Sequence, residues 1–319
     1  MKKAVITGVA GQDGSYLSEH LLNIGYNVIG ITRRKSAKTS LSNLEKCIDN
    51  KNFELIYGDI LDPLFIGNIL SQYKPDEWYN LAAMSHVGQS FSEPNYVFRV
   101  NAEAVINQLE LMKNHSRNTR FYQASTSELY GNTACPADGF TEESDMNPQS
   151  PYAIAKLAAY HAVKNYRKAY SLYACNGILF NHSSPRRGLD FATRKITNGL
   201  ANIKMGIQDK IRMGNLSAFR DEGHSKDYCT AMHLMLQQDI PQDFVIATGM
   251  GATIEDMFKH VCSIADIKFE DAYEIDQRFL RPSDVPYLLG NASKAKNILS
   301  WKPVYNWRSL LKAMYKSEF

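Results

Sequence analysis

The sequence predicts an α/β protein with a doubly wound parallel sheet, followed by a smaller lobe. In residues 1–180, short apolar segments alternate with longer segments of helical periodicity, which is typical of repeated strand–helix units. After Asn181 the alternation stops, and a chain of 319 residues is long for one domain. We therefore expect one domain over residues 1–180 and a second lobe mostly over 181–319.

The chain opens with a predicted strand and a glycine turn. Lys3–Thr7 is a short apolar segment that suits a buried parallel strand, and helical periodicity begins at Ser15. Between them the glycines are spaced G-x-x-G-x-x-G, a variant of the dinucleotide fingerprint, in which a pyrophosphate rests on a helix amino terminus. A glycine triplet alone is a weak signal, but a strand before it and a helix after it support the assignment. The sequence thus predicts a Rossmann-type sheet whose turn binds the cofactor through Gly8, Gly11, Gln12, Asp13 and Gly14.

The second predicted strand, Tyr26–Thr32, ends in a basic segment. A cofactor with a free 2′-hydroxyl usually meets an Asp or Glu about 20 residues after the glycines. This chain has Arg33, Arg34 and Lys35 instead, and cations suit a 2′-phosphate. The alternative is a solvated basic loop. We expect NADP rather than NAD, with Arg33 and Arg34 as cofactor-binding residues.

The third predicted strand is Phe53–Tyr57, and Asp59 follows it. This carboxylate either accepts a hydrogen bond from the adenine amino group or caps the helix that begins near Pro63. We count it among the cofactor-binding residues.

The fourth predicted strand, Glu77–Leu81, is followed by small residues. At Leu81 and Ala82 they allow a cofactor to lie against the backbone. Ser85 is interpreted as a substrate contact, and a plain loop hydroxyl is the alternative. A long helix is then predicted from about residue 94 to residue 114.

The strongest functional signal follows the fifth predicted strand, Arg120–Ala124. Thr126 and Glu128 would lie at its carboxyl end, where open α/β sheets bind ligands. Tyr152 and Lys156 are four residues apart and share one face of a predicted helix. A cation one turn away favours the phenolate and lowers the Tyr pKa from about 10. The Tyr-x-x-x-Lys spacing alone occurs by chance on many helices, but Thr126, Tyr152 and Lys156 together suit oxidation of an alcohol. Glu128 adds a second acid–base group.

The second half of the chain is rich in basic residues. Leu172–Phe180 is predicted as the sixth strand, 181–188 as a loop, 190–205 as a helix, and residues near 244–249 as a strand that rejoins the sheet. A single cation is more often a solvated surface charge. As a group, these cations suit a diphosphate-bearing substrate, because Arg binds phosphate oxygens bidentately. They are Arg186, Arg187, Arg194, Lys195, Arg220 and Arg281.

Composition limits the other classes of function. The net charge of +3 gives no argument for a nucleic acid or a membrane partner. The five cysteines form no C-x-x-C, and the eight histidines are not paired with cysteines or carboxylates at ligand spacing, so we expect free thiols and no metal. The first residues enter a strand at once, which leaves no room for a signal peptide, and no apolar segment approaches a membrane span. We expect a cytoplasmic protein.

With these residues in view, the chain resembles the extended short-chain dehydrogenase/reductases, and within them the GDP-mannose 4,6-dehydratase family. The resemblance covers nearly the whole length. Its most specific segments are TGVAGQDGSYL at 7–17, QASTSELYG at 123–131 and NHSSPRRG at 181–188. It implies an NADP-dependent lyase that converts a nucleotide-diphosphate sugar to its 4-keto-6-deoxy form, most directly GDP-mannose. It also implies a homodimer or homotetramer.

The resemblance also implies roles for individual residues. Tyr152 takes the 4-hydroxyl proton, Lys156 lowers the Tyr pKa and holds the nicotinamide ribose, and Thr126 hydrogen-bonds to the reacting oxygen. Glu128 removes the carbon-5 proton and helps the 6-hydroxyl to leave. The implied binding residues for the nucleotide diphosphate and ribose are Asn181, Lys195, Arg220 and Arg281. We count Ser85 and Asp284 among the substrate-binding residues as well.

Four positions depart from the pattern of this family. Ser183 replaces a Glu, Glu222 a Trp, Asp284 a Glu and Asn101 an Asp. None of them is a proton-transfer group, so the reaction type is retained while the sugar stays open. Another GDP-linked sugar, such as a heptose, is the first alternative.

Two further alternatives use the same scaffold. A sugar-nucleotide 4-epimerase or 4-reductase needs Thr126, Tyr152 and Lys156 but has no use for a carboxylate at Glu128. A regulatory protein that kept the fold and lost the chemistry should have broken catalytic positions, since fold alone does not fix function. All four positions are intact in this chain.

Overall fold

A computed structural model describes residues 1–34 and 38–319 of the chain. Lys35, one of the basic residues predicted to follow the second strand, lies outside the described residues.

The six predicted strands of the first 180 residues are all present, with ends within two residues of the expected ones. The strands are β1 (Lys3–Thr7), β2 (Asn27–Thr32), β3 (Phe53–Tyr57), β4 (Glu77–Asn80), β5 (Arg120–Ala124), β6 (Ala174–Leu179), β7 (Asn181–Ser183), β8 (Ile211–Met213), β9 (Phe219–His224), β10 (Phe244–Ile246), β11 (Gly251–Thr253), β12 (Tyr273–Ile275) and β13 (Tyr287–Leu288).

The helices begin mostly where the sequence predicts them. They are α1 (Gln12–Asn23), α2 (Pro63–Tyr73), α3 (Val87–Ser90), α4 (Pro94–Phe98), α5 (Ala104–His115), α6 (Pro151–Tyr170), α7 (Ala192–Lys204), α8 (Ser225–Leu236), α9 (Ile254–Ala265), α10 (Ser293–Leu299) and α11 (Trp307–Lys316). The predicted helix from 94 to 114 is α4 and α5 joined by a π-helical turn, Arg99–Glu103.

The central sheet has seven strands in the order β10-β6-β5-β4-β1-β2-β3, and every pairing in it is parallel. The strand order reverses between β1 and β4, which is the position where such sheets form a ligand crevice at the carboxyl ends of the strands. The predicted α/β class with a doubly wound parallel sheet is confirmed.

Alternate residues of the strands pack on opposite faces of this sheet, as the strand period of two requires. Ala4 and Ile6 pack with α1 and α8, whereas Val5 packs with α2, α5 and α6. Both faces are therefore buried at β1, which explains why Ala4, Val5 and Ile6 are continuously apolar rather than alternating.

The second half of the chain contributes to both parts of the molecule. β10 pairs with β6, so the predicted strand near 244–249 does rejoin the main sheet. A separate apolar core joins α7, α9 and α11 in the smaller lobe. The division at residue 180 stays a prediction, since α8 and α10 also pack on the first core.

One prediction for the second half is wrong in its first residues. The segment 181–188 was expected to be a loop, but Asn181–Ser183 forms β7 and pairs in parallel with Glu222–His224 of β9. Its short length and polar side chains hide the strand from a periodicity argument. This pairing fixes the position of Asn181 in the site.

Candidate active site

Two clefts open at the carboxyl ends of the strands and share two lining residues, Arg187 and Phe191. The first, which we call the cofactor cleft, lies at the reversal of strand order and encloses about 440 Å³. The second, the substrate cleft, encloses about 520 Å³ and is lined mostly by residues of the second half of the chain, together with His86, Gly88 and Gln89 of the first half. Both are within the range of roughly 300–1,000 Å³ that small-molecule sites occupy.

The glycine turn forms the floor of the cofactor cleft in the way the motif predicts. Gly8 has a φ of +71°, and a Cβ added there would lie 2.8 Å from the Ala82 backbone nitrogen. A Cβ at Gly14 would lie 2.5 Å from the Gly8 carbonyl oxygen. Only glycine fits these positions, and the bare backbone at the start of α1 suits a pyrophosphate.

Most predicted cofactor-binding residues line this cleft. They are Gly8, Gly11, Gln12, Asp13, Gly14, Arg33, Asp59, Leu81 and Ala82. Arg34 is not among them, since its guanidinium lies 4.8 Å from the centre of the Tyr57 ring. Tyr152 and Lys156 do not line it either.

Asp59 does not cap the helix that follows it. The side chain at the amino terminus of α2 is Asp62, which accepts hydrogen bonds from the backbone nitrogens of Leu64 at 2.9 Å and Phe65 at 3.2 Å. Asp59 accepts from the Leu61 nitrogen at 3.0 Å and lines the cofactor cleft. The interpretation of Asp59 as the cap of this helix is therefore wrong, and its interpretation as a cofactor-binding residue stays a prediction.

The substrate cleft collects five of the six predicted substrate-binding residues. Asn181, Lys195, Arg220, Arg281 and Asp284 all line it, whereas Ser85 lines the cofactor cleft. Asp284 holds both arginines: its carboxylate accepts from Arg281 at 3.3 Å and from Arg220 at 3.4 Å. The result is a pair of cations that a diphosphate would meet.

Two other predicted cations lie elsewhere. Arg194 pairs with Glu318 at 2.7 Å and lines neither cleft. Arg186 lies over the Tyr16 ring, donates to the Ser15 hydroxyl at 2.9 Å and pairs with Glu19, so it belongs to the wall of the cofactor cleft. The basic residues therefore divide between the two clefts and the protein interior.

The four predicted proton-transfer residues are buried, between 4% and 9% exposed. Thr126 and Glu128 follow β5, where the Thr126 hydroxyl accepts from the Glu128 backbone nitrogen at 3.2 Å. Tyr152 and Lys156 lie one turn apart on α6. None of the four lines either cleft, but Tyr152 interacts electrostatically with Arg187, which lines both.

The ionisation of Tyr152 differs from the prediction based on spacing. Burial raises the pKa of Tyr152 to about 12, although its hydrogen bond with Thr126 acts in the opposite direction. The Lys156 amine donates to the Ala124 carbonyl at 2.8 Å and lies 5.9 Å from the centre of the Tyr152 ring. Burial lowers the pKa of Lys156 to about 8. Desolvation is therefore the largest influence on the pKa of both side chains in this arrangement.

Glu128 has the environment of an acid–base group. Burial raises the pKa of its carboxyl, while Arg220 and Arg281 act in the opposite direction. A carboxyl with a raised pKa both accepts and returns a proton more readily near neutral pH.

Asp13, which lines the cofactor cleft, forms an ion pair with His182. The ring Nε2 lies 3.0 Å from the Asp13 carboxylate. Burial opposes ionisation of Asp13, but His182 together with the Ser225 hydroxyl and Arg187 holds its pKa well below the ordinary value. This pair joins α1 to β7, and so it connects the walls of the two clefts.

Sequence reasoning missed three contributors to the site. Phe191 lines both clefts and packs against Arg187, whose guanidinium lies 3.7 Å from the ring centre. In the substrate cleft, the centre of the Phe279 ring lies 3.5 Å from the Lys195 amine nitrogen. Glu222 was noted only as a departure from the family pattern, yet it lines the substrate cleft. The sequence signal that could have indicated Glu222 is its position in Phe219–His224, a segment with the length of a strand that contains several charged residues.

Asn101 has a structural reason to differ from the expected Asp. Its amide accepts from the Met84 nitrogen and donates to the Met84 carbonyl, both at 2.9 Å. An ionised Asp could make only the first of these bonds. Asn101 thus fixes the loop after β4, which lines the cofactor cleft.

The described part of the chain contains no group of three or more His, Cys, Asp or Glu side chains that could hold a metal ion. No helix within residues 1–34 and 38–319 is both long and apolar enough to cross a membrane.

Comparison with known proteins gives one consistent family. The family model described as GDP-mannose 4,6 dehydratase matches residues 5–314. GDP-mannose 4,6 dehydratase 2 of Arabidopsis thaliana is 46% identical and is aligned over 98% of this chain and 86% of its own length. A GDP-mannose 4,6-dehydratase of Vibrio cholerae is 45% identical over 95% of this chain and 90% of its own.

Solved structures share the fold at lower identity. A dTDP-glucose 4,6-dehydratase from Bacillus anthracis, in complex with NAD, has a TM-score of 0.86 at 23% identity and covers 99% of this chain and 96% of its own. RMD from Pseudomonas aeruginosa, complexed with NADPH, has a TM-score of 0.81 at 20% identity and covers 100% of this chain and 99% of its own. At these identities the likeness concerns the fold alone.

Proposed function

The chain belongs to the GDP-mannose 4,6-dehydratase family, and from this premise we infer that it converts GDP-mannose to GDP-4-keto-6-deoxymannose by loss of water. It is a hydro-lyase. The observation that carries this conclusion is family membership over nearly the full length, with all four proton-transfer residues retained. A 4-epimerase or 4-reductase on the same scaffold would leave the buried Glu128 carboxyl without a task.

We propose that NADP is the cofactor. The glycine turn fits a dinucleotide, and Arg33 lies at the end of β2 on the edge of the cofactor cleft, where its guanidinium donates to the Tyr96 hydroxyl at 2.5 Å. A cation at that position suits a 2′-phosphate. When bound, the cofactor supplies reversible hydride storage, so that the overall reaction is a dehydration without net oxidation.

We propose for the side chains the roles that the family resemblance implies. Tyr152 takes the proton of the 4-hydroxyl group, and Thr126 hydrogen-bonds to the same oxygen. Lys156 holds the end of β5 through the Ala124 carbonyl and supplies positive charge near the phenol. The cations Arg220 and Arg281, held by Asp284, bind the diphosphate and place the sugar beside Glu128.

Glu128 performs the elimination. A ketone at carbon 4 acidifies the proton on carbon 5, and the Glu128 carboxylate removes it. The carbon–oxygen bond at carbon 6 then breaks, the carboxyl returns its proton to the departing hydroxyl, and the loss of water leaves a double bond between carbons 5 and 6. Carbon 6 needs a hydride, which a bound cofactor would supply, and a solvent proton would add at carbon 5 to give the 4-keto-6-deoxy sugar. A positioned carboxyl contributes about 10²–10⁴-fold to such a proton transfer.

We also propose a cytoplasmic enzyme that acts on a nucleotide sugar as a dimer or tetramer. All five cysteines are free thiols, which suits a reducing compartment.

The test compares the wild type with Glu128→Gln. The wild type should release one water from GDP-mannose, measured by mass spectrometry across a panel of nucleotide sugars. In deuterated water its product should carry deuterium at carbon 5. Glu128→Gln should still bind substrate but lose about 10²–10⁴-fold in turnover, because an amide cannot accept the proton.

Glu143→Gln is the matched control, since this carboxyl is exposed on the loop before α6. It should keep normal turnover. Near-normal turnover of Glu128→Gln, or a wild-type product without deuterium at carbon 5, would remove Glu128 from the mechanism. A product of unchanged mass would favour the epimerase.

A further inference from the structure

Glu222 is a buried carboxyl that the mechanism above does not use. It lies in β9, opposite Asn181 of β7, and is 3% exposed while lining the substrate cleft. A buried carboxyl is costly unless hydrogen-bond donors or cations surround it. Its partners therefore show whether it has a structural task or faces a ligand.

Asp221, the residue before Glu222 in β9, is a buried carboxylate with a structural role. Asp221 accepts four hydrogen bonds, from the nitrogens of Thr248, Gly249 and Gly290 and from the Thr248 hydroxyl, at 2.6–3.4 Å. These bonds connect β9 to the loop after β10 and to the segment after β13. Its acceptor capacity is filled by the protein itself.

Glu222 has far fewer partners. Among the residues that the structure describes, the one side chain that hydrogen-bonds with it is Ser183, whose hydroxyl is shared with the Thr193 hydroxyl at 2.8 Å. Burial raises the pKa of Glu222, and Ser183 and Arg187 act in the opposite direction. A carboxyl has about four lone-pair sites, so most of its acceptor capacity remains for donors that enter the cleft.

The position of Glu222 indicates which donors these are. It interacts electrostatically with Arg187, which also interacts with Tyr152, and with Arg220, which also interacts with Glu128. The substrate cleft that Glu222 lines also contains Arg187, which reaches the cofactor cleft at the oxidising end of the site, and Arg220, one of the cations proposed for the diphosphate end. A hexose linked through carbon 1 and reacting at carbons 4 to 6 has two hydroxyl groups left between these ends, at carbons 2 and 3.

We propose that Glu222 binds the hydroxyl groups at carbons 2 and 3 of the sugar and is a specificity-determining residue of this enzyme. The proposal rests on the proposed function, because it assumes a GDP-linked hexose. Ser183, which also departs from the family pattern, supports the carboxyl from the neighbouring strand. The two departures therefore act together at one subsite.

Measurements of ligand binding, rather than of turnover, distinguish a sugar-binding role of Glu222 from a structural role. Calorimetry with GDP-mannose and with GDP should be compared for the wild type and Glu222→Gln, with Glu143→Gln as the control. If Glu222 contacts the sugar, Glu222→Gln should weaken GDP-mannose binding by about 10- to 100-fold, as expected for a hydrogen bond to a charged group, and leave GDP binding unchanged. If Glu222 only holds Arg187 and Arg220, both ligands should weaken equally, which would overturn the proposal.

Deoxy analogues of the sugar, combined with the Glu222 variants, form a double-mutant cycle that tests the contact directly. The 2-deoxy and 3-deoxy forms of GDP-mannose should bind the wild type more weakly, whereas Glu222→Ala and Glu222→Gln should no longer distinguish at least one of them from GDP-mannose. Equal penalties in wild type and variants would contradict the proposal. A wild type that binds the sugars but releases no water would refute the proposed function. The binding measurements would still show whether Glu222 contacts the sugar hydroxyl groups.

Discussion

His182 shows how two hydrogen bonds decide a protonation state. Its Nδ1 faces the Phe180 carbonyl at 2.7 Å and its Nε2 faces the Asp13 carboxylate at 3.0 Å. Both partners only accept, so both ring nitrogens must donate, which is the imidazolium form. Burial opposes this charge, but Asp13 outweighs it, and the pKa of His182 is raised.

This raised pKa predicts a pH-dependent stability. A folded-state pKa above the unfolded value of about 6.5 stabilises the protein below that pH, and the contribution is lost as the pH rises through the folded pKa. His182→Gln should therefore lower the free energy of unfolding by roughly 1–3 kcal/mol at pH 6, and by less at pH 9. Denaturant titrations at both values measure this.

His161→Gln is the matched control, because this side chain is exposed on α6. It should change stability little at either pH. A His182→Gln penalty that is equal at pH 6 and pH 9 would contradict an imidazolium at this position.

Arg33 and Arg34 provide a second comparison between single residues. Arg33 lines the cofactor cleft, whereas Arg34 lies against Tyr57 outside it. Arg33→Asp should weaken NADP binding at least tenfold and leave NAD binding nearly unchanged, because only the first ligand has a 2′-phosphate. Arg34→Asp should affect NADP much less. Fluorescence titration of both variants measures this, and equal effects of the two substitutions would contradict the assignment to Arg33.

At the scale of elements, the start of α6 places a proton-transfer residue. Ser150 precedes the helix, and its hydroxyl accepts from the Ala153 backbone nitrogen at 3.1 Å. Pro151 follows at the first helical position, which suits its fixed φ. Tyr152 is the next residue, so fraying of this turn would displace the phenol.

Removing this cap should affect stability and turnover together. Ser150→Ala should lower the free energy of unfolding by about 1 kcal/mol, the usual contribution of a capping side chain, and should also lower kcat. Asp62→Ala removes the comparable cap of α2, which carries no site residue, and should lower stability alone. Thermal unfolding and initial rates of both variants measure this. Unchanged kcat in Ser150→Ala would show that the cap does not position Tyr152.

The elements that could be predicted from the sequence are those that bury apolar residues. β1, for example, is continuously apolar because helices cover both faces of the sheet. β9 could not be predicted in this way, since Arg220, Asp221 and Glu222 are consecutive charged residues that are nonetheless buried. Their burial depends on partners from distant segments, such as Thr248 for Asp221. For the same reason, motif positions indicated the cofactor cleft, while the place of Glu222 in the lining of the substrate cleft is evident only in three dimensions.

At the scale of the whole molecule, the two halves of the chain build each cleft together. Arg186, Arg187 and Phe191 come from the second half but line the cofactor cleft. The Ser225 hydroxyl donates to Asp13 at 2.6 Å, which ties α8 to the glycine turn. The pattern change after residue 180 therefore marks where the alternation of strands and helices ends. It does not mark a boundary of the site.

The last prediction concerns assembly. The exposed faces of α5 and α6, two helices in contact, carry Ile106 at 39% and Ile154 at 51% exposure. We expect a second copy of this chain to cover it, so that the native protein sediments at twice 36.1 kDa or more.

Ile154→Glu should produce the monomer, because a carboxylate is costly to bury in such a contact. Ile240→Glu, at a site that is 68% exposed on a loop, should leave the assembly unchanged. Analytical ultracentrifugation decides between these outcomes, and a monomeric wild type or an Ile154→Glu variant that assembles normally would exclude this surface as the interface.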